Sequence, residues 1–264
     1  MINMLMTKKI KILTHRGLEP NRKNFFKESS YEAFENHLKR GFGIELDVYF
    51  SKNNIFVSHD SNLKNKPKLT QVLNLIKKYK PKLSALHVKG AFQNKNNIDN
   101  LINILKNYSE MLDDLIIFDI TPDVAKYIKK FISDIHVAPS LSHEYDIERY
   151  NKRVGGTLLS VDNLLKLKDN MYDWAWLDEW DLRSKNNLKK KFYTEENFKI
   201  LKEKGIKIAL VSPELHSTSP GLLGNESHEN GLNKDKLFKR IKEIIKLKPD
   251  AICTDYPEEV KKLI

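Results

Sequence analysis

Short apolar runs alternate with stretches of helical spacing from one end of this sequence to the other, and that alternation constrains the fold more than any other feature. The run 9–14 reads as a strand ending at His15. A helix follows over Tyr31–Arg40, capped by Ser29 or Ser30 and stopped by Gly41. Apolar runs around Glu45 and Val57 come next. The helix Leu69–Tyr79 then places Leu69, Val72, Leu73 and Ile76 on one face. Beyond Pro81 the same pairing recurs: strands over 83–89, 115–120, 136–142 (broken at Pro139), 173–178, 206–212 and 250–257, with helices over 98–108, 122–132, 144–153, 194–204, 235–246 and 258–264. Only 158–167 fits neither period.

Strand and helix in strict succession imply parallel strands joined by helical crossovers. With roughly eight strand candidates and no internal linker, the expected architecture is an α/β fold, a single (β/α)8 TIM-type barrel over residues 1–264. No glycine-rich phosphate fingerprint follows the first strand, which argues against a dinucleotide-binding sheet. In a barrel of this kind the chemistry sits at the C-terminal ends of the strands. Three such ends carry chemical groups: His15-Arg16-Gly17, then Glu45 and Asp47, then His59-Asp60 after the run Ile55–Val57. Residues i and i+2 of a strand share a face, so the two carboxylates project together and call for a cation or a shared proton. Each group alone is unremarkable; three at successive strand ends are a site.

These residues resemble the glycerophosphodiester phosphodiesterase family. Its His-Arg-Gly opening, its Pro-Glu-Asn-(Ser/Thr) segment and its Ala-Phe helix are matched by His15-Arg16-Gly17, Lys27-Glu28-Ser29-Ser30 and Ala33-Phe34. Its Glu-x-Asp-Val and His-Asp are matched by Glu45-Leu46-Asp47-Val48 and His59-Asp60. Its closing Thr-Asp-Tyr-Pro appears as Thr254-Asp255-Tyr256-Pro257. The likeness is strong over 9–89 and at the C-terminus, and vague between. It implies metal-dependent hydrolysis of a phosphodiester to a phosphomonoester and an alcohol. His15 and His59 would be the acid–base pair, and Glu45 and Asp47 would hold a divalent cation, Mg²⁺ or Ca²⁺ by their oxygen chemistry. Arg16 and Lys89 would hold phosphate.

Two departures from the family pattern stand out. Where the family's third strand ends Glu-x-Lys, with Glu a metal ligand, this chain has His87-Val88-Lys89. The spacing keeps His87 facing with Lys89, so His87 is expected as a ligand or beside one. An imidazole shifts the preference towards Mn²⁺ or Zn²⁺. Asp119 or Glu214 would otherwise supply the missing carboxylate. Only Ser61–Lys68 separates His59-Asp60 from the next helix, which implies an open mouth with the loop Ser217–Asn233 as its lid. Trp180 and Glu214, past later strand ends, are candidate substrate contacts. Trp174 and Trp176 read as core, and His37, His136, His143 and His228 as surface or structural residues.

The formal charge of +11 comes from lysines scattered along the whole sequence, and no nucleic-acid module accompanies it. The expected partner is a small phosphodiester rather than nucleic acid. The single cysteine, Cys253, allows no internal disulfide and reads as a buried thiol. With no leader-like segment and no apolar run near the ~18 residues of a membrane span, the expected location is cytoplasmic. The alternative is a barrel that has lost catalysis with its third carboxylate and binds an anionic ligand.

Overall fold

The computed structural model describes residues 9–22, 26–52, 54–167, 171–179, 191–213 and 233–264, leaving aside the side chains of 149, 153 and 154. The strands are β1 (Lys11–His15), β2 (Gly43–Ser51), β3 (Asn54–Val57), β4 (Ser84–His87), β5 (Leu115–Phe118), β6 (His136–Ala138), β7 (Ser140–Leu141), β8 (Trp174–Leu177), β9 (Lys207–Val211) and β10 (Ala251–Thr254). The helices are α1 (Tyr31–Lys39), α2 (Leu69–Tyr79), α3 (Lys95–Leu105), α4 (Pro122–Phe131), α5 (Glu144–Val154), α6 (Val161–Leu165), α7 (Glu195–Glu203), α8 (Lys234–Lys246) and α9 (Pro257–Lys261).

Side-chain caps define where several helices begin. Ser30, Asn94, Thr121, Thr194 and Asn233 each accept a backbone N–H in the first turn that follows them. Such a cap typically stabilises a helix by ~1 kcal/mol. The segment 158–167, ambiguous in sequence, carries the short α6, capped by Ser160.

The strands run β6-β5-β4-β2-β1-β10-β9-β8-β7, every neighbouring pair parallel. β6 and β7 are one stave interrupted at Pro139, which lacks an N–H to donate; its carbonyl still accepts Trp176 N at 3.0 Å. The sheet thus comes round on itself as a TIM barrel. One expected strand is not a stave: β3 pairs antiparallel with the outer half of β2, Val48 opposite Val57. Its run is too close in sequence to β2 for a helical crossover, so it folds back as a hairpin.

Alternation divides the strand residues between two cores. Facing inward, Leu13, Ala85, Phe118, Trp176, Val211 and Cys253 help fill the barrel. Facing outward, residues such as Ile44, Leu46, Ile117 and Leu210 meet the apolar faces of the helices, among them Leu69, Val72, Leu73 and Ile76 of α2. Trp174, Trp176 and Cys253 are therefore core residues, as expected. Gly43 is required by a close approach: a Cβ there would lie 1.8 Å from the Leu83 carbonyl oxygen.

Candidate active site

The C-terminal ends of β1, β2, β4, β5 and β10 converge on one polar cluster. Register sets the convergence: His15 lies opposite Glu45, and Asp47 opposite His87. Inward-pointing residues at these levels share the barrel mouth. The β1 turn is built for it. Arg16 and Gly17 both have left-handed backbone (φ 50° and 73°), and a Cβ on Gly17 would meet the Ala33 Cβ at 2.8 Å. The Arg16 N–H donates to the Glu45 carbonyl at 3.1 Å and also approaches Glu45 Oε2 at 3.3 Å.

Asp47 is the hub of the cluster. Its Oδ1 is 2.8 Å from His87 Nδ1 and 3.8 Å from Lys89 Nζ, and its Oδ2 is 3.1 Å from Arg16 Nε. The Arg16 contact is an ion pair but not an aligned hydrogen bond, so Asp47 Oδ2 and Arg16 Nε are buried without hydrogen-bond partners. The other ring nitrogen of His87, Nε2, is 3.0 Å from Asp119 Oδ2. His87 stacks on Phe118 (ring centroids 4.8 Å apart), and Phe118 on Trp176 (3.9 Å). Lys89 Nζ donates to the His59 carbonyl, and Ser58 N donates to the Asp47 carbonyl at 3.0 Å. These two bonds tie the β3 end, and with it His59, to the mouth. Asp60 serves its own turn, accepting Asn62 N at 2.9 Å.

Burial and the neighbouring Asp47 charge push Glu45 up. Burial would raise Asp47 too, but Arg16 and His87 hold it well below the usual carboxylate range. For His87, burial favours the neutral ring, yet hydrogen bonds to Asp119 and Asp47 outweigh it and raise the ring to about 9. Both carboxylates only accept, so in the cation-free chain each ring nitrogen carries a proton. Burial is the largest influence on His59 and lowers it to about 4.

Glu45, Asp47 and His87 each offer one ligand atom, and these atoms all lie within 4.8 Å of one another. Adjacent donors on an octahedral cation with ~2.1 Å bonds stand about 3 Å apart, and opposite donors about 4 Å. The 4.8 Å bound is wider than that shell, so the trio could hold a divalent ion once its side chains close slightly. The buried Asp47 Oδ2, which has no hydrogen bond, is an oxygen that such an ion would satisfy. His87 would join this set by giving up the proton of its ligating nitrogen, and Nδ1 is the nitrogen that faces Asp47.

Sequence reasoning passed over one member of the cluster. Asp255, fully buried at the end of β10, places Oδ1 3.1 Å from His15 Nδ1. Its place in Thr254-Asp255-Tyr256-Pro257, just past the last stave, was the available signal. Asp119 touches His87 and lies outside the trio. Trp180, Glu214, His216, His228 and nearly all of the loop Ser217–Asn233 lie outside the described residues. Among the described residues, the segment that follows α5 reaches the mouth, placing Thr157 Oγ1 2.6 Å from Asp119 Oδ1. The remaining histidines have structural partners. His37 is buried against Glu19 (3.1 Å), His136 lies near Asp173 (3.4 Å), and the His143 ring accepts Tyr145 N.

A TIM barrel with a carboxylate–histidine cluster at its C-terminal mouth is the class that fold and site define. No protein-family model matches the chain, and no curated protein matches it. Solved structures do: 62 chains match. A glycerophosphodiester phosphodiesterase from Parabacteroides distasonis shares 16% identity over 97% of each chain, with a TM-score of 0.61. The enzyme from Agrobacterium tumefaciens shares 14% over 97% of this chain and 99% of its own, at 0.58. A phosphodiesterase from Oleispira antarctica, solved with the product sn-glycerol-3-phosphate, shares 13% over 96% of each chain, at 0.58. The fold is thus that of the glycerophosphodiester phosphodiesterases, along nearly the full length. Among the described residues, no helix is long and apolar enough to cross a membrane.

Proposed function

We propose that residues 1–264 form one barrel domain that hydrolyses a phosphodiester of a small alcohol, of glycerophosphodiester type, to a phosphomonoester and an alcohol. Glu45, Asp47 and His87 hold a divalent cation. That ion, when bound, offsets phosphate charge and polarises the phosphoryl oxygens. The observation that carries the reading is the convergence of His15, Glu45, Asp47, His87 and Lys89 at the mouth of a barrel whose fold the phosphodiesterases share. The glycerol phosphate bound by the Oleispira antarctica protein supports the substrate class.

His15 donates Nδ1–H to Asp255, an acceptor only, so Nε2 is left with its lone pair to take a proton. His15 is the base towards the attacking hydroxyl, whether of water or of the substrate. Arriving phosphodiester adds negative charge beside Arg16, Lys89 and His59. That charge favours protonated His59, the form that delivers a proton to the leaving alkoxide. Arg16 and Lys89 bind phosphate oxygens, Arg16 by turning part of its fork from Asp47 and Glu28 (3.1 and 3.5 Å). Trp180 and Glu214 are proposed to contact the alcohol group. The lone, buried Cys253 suits a reducing cytoplasmic setting.

A second reading, anion binding without turnover, is favoured by one observation: both His87 nitrogens already have carboxylate partners. The test is hydrolysis of bis(p-nitrophenyl) phosphate and glycerophosphocholine with Mg²⁺, Ca²⁺, Mn²⁺ or Zn²⁺, against chelator. Cation-dependent turnover abolished by His15→Ala is the expected result. No turnover with any cation, in folded protein, favours the second reading.

A further inference from the structure

His87 stands where the resemblance leads one to expect a carboxylate, and a ring, unlike a carboxylate, presents two different nitrogens. Only one of them can face Glu45 and Asp47. A neutral imidazole not held from behind exchanges its proton between the two nitrogens and can turn about its Cβ–Cγ bond, so its ligating atom is undefined. What fixes the ring here is the far side. Nε2 lies 3.0 Å from Asp119 Oδ2, while Nδ1 lies 2.8 Å from Asp47 Oδ1.

Asp119 is itself held at every polar group that it directs into the cluster. Its Oδ1 accepts Thr157 Oγ1 at 2.6 Å, and its backbone carbonyl accepts Gln93 Nε2, also at 2.6 Å. Gln93 is fixed in turn, its Oε1 accepting Thr121 N at 3.0 Å. Asp119 has left-handed backbone (φ 61°) directly after β5, a conformation that a side chain adopts only where its surroundings enforce it. It is 3% exposed. One face of the His87 ring is closed as well, by the stack on Phe118.

We propose that Asp119 is the positioning residue of the cation site: by accepting Nε2–H it fixes His87 in the tautomer and orientation that turn Nδ1 towards Glu45 and Asp47. Thr157, delivered by the return from α5, holds Asp119 for that task. The α5 excursion is thereby part of the site's construction. A carboxylate behind a ligating histidine also makes the ring a better donor, and losing such a partner typically weakens cation affinity about 10–100-fold. This inference rests on the reading that Glu45, Asp47 and His87 hold a cation.

The test is calorimetric titration with Zn²⁺ at one fixed pH on wild type, Asp119→Asn, Thr157→Val and His87→Gln, the last giving the background from other histidines. Histidine ¹⁵N spectra of the Zn²⁺-loaded proteins report the tautomer. Wild type should bind one ion with His87 as the Nε2–H tautomer. Asp119→Asn should bind about 10–100-fold more weakly with that signal lost or mixed, and Thr157→Val should fall between. Thr157→Val keeps the side-chain shape, so it serves if Asp119→Asn does not fold. Wild-type affinity and an unchanged His87 tautomer in the folded variants would overturn the role of Asp119 and leave the cation reading standing. No binding above the His87→Gln background in wild type would overturn both.

Discussion

Replacing Asp255 by Asn removes one charge from the cluster and leaves the shape of the residue. Its carboxylate is fully buried and sits 3.1 Å from His15 Nδ1. If His15 takes a proton at Nε2 in the transition state, Asp255 faces an imidazolium that did not exist in the ground state. A charge-assisted hydrogen bond of this kind contributes ~1.5–3 kcal/mol. At ~1.4 kcal/mol per factor of ten, kcat should fall roughly 10–150-fold. An amide that turns its NH₂ towards the ring drives the proton onto Nε2, and the loss then deepens towards ~10⁴-fold. The assay is steady-state hydrolysis of bis(p-nitrophenyl) phosphate by wild type, Asp255→Asn, His15→Ala and the double variant, each checked for Tm. Because the two residues act as one unit, the double variant should be no slower than His15→Ala. Wild-type kcat in a folded Asp255→Asn, or losses that multiply in the double variant, would refute the reasoning.

Three further outcomes follow from the packing. Gly43→Ala puts a methyl 1.8 Å from the Leu83 carbonyl, so strands β2 and β4 must part; the expected cost is ~3 kcal/mol, read as a lower Tm. Arg240→Ala leaves Glu179 buried without its 2.8 Å partner and should cost ~3–5 kcal/mol in urea unfolding, whereas a loss under ~1 kcal/mol would show that the pair contributes little. Burial would raise Glu19, but hydrogen bonds from His37 and Arg40 hold it at about 2, against 4.5 when free. With the folded value depressed, this stabilisation is present above pH 4.5 and lost as pH falls towards 2. Allowing for solvent screening it amounts to ~1–2 kcal/mol, and Glu19→Gln should flatten that part of the Tm–pH curve.

The strands and helices were legible because apolar period and turn chemistry are local properties. Leu69–Tyr79 was bounded correctly at both ends, since Pro81 and the period of its leucines leave no other solution. The strand break at Pro139 followed from a missing N–H. The hairpin of β3 was missed because the apolar run was read by itself, where parallel and antiparallel partners look alike; the short link from Ser51 to Asn54 was the signal. Seven of the candidate site residues do meet: His15, Arg16, Glu45, Asp47, His87 and Lys89, since residues ending parallel strands of a barrel share one mouth, and His59, brought there by Lys89.

What the sequence alone determined is therefore the succession of strands and helices, the two-residue spacing of Glu45 with Asp47 and of His87 with Lys89, and the level of the barrel at which they lie. Whom each group meets across the mouth was decided by tertiary structure alone. Asp255 reaches His15 from 240 positions away, and Thr157 reaches Asp119 across 38. Such pairings depend on strand register and on where a crossover returns. Neither leaves a periodic trace in the chain, because hydrogen bonds between distant side chains impose no pattern on the residues between them.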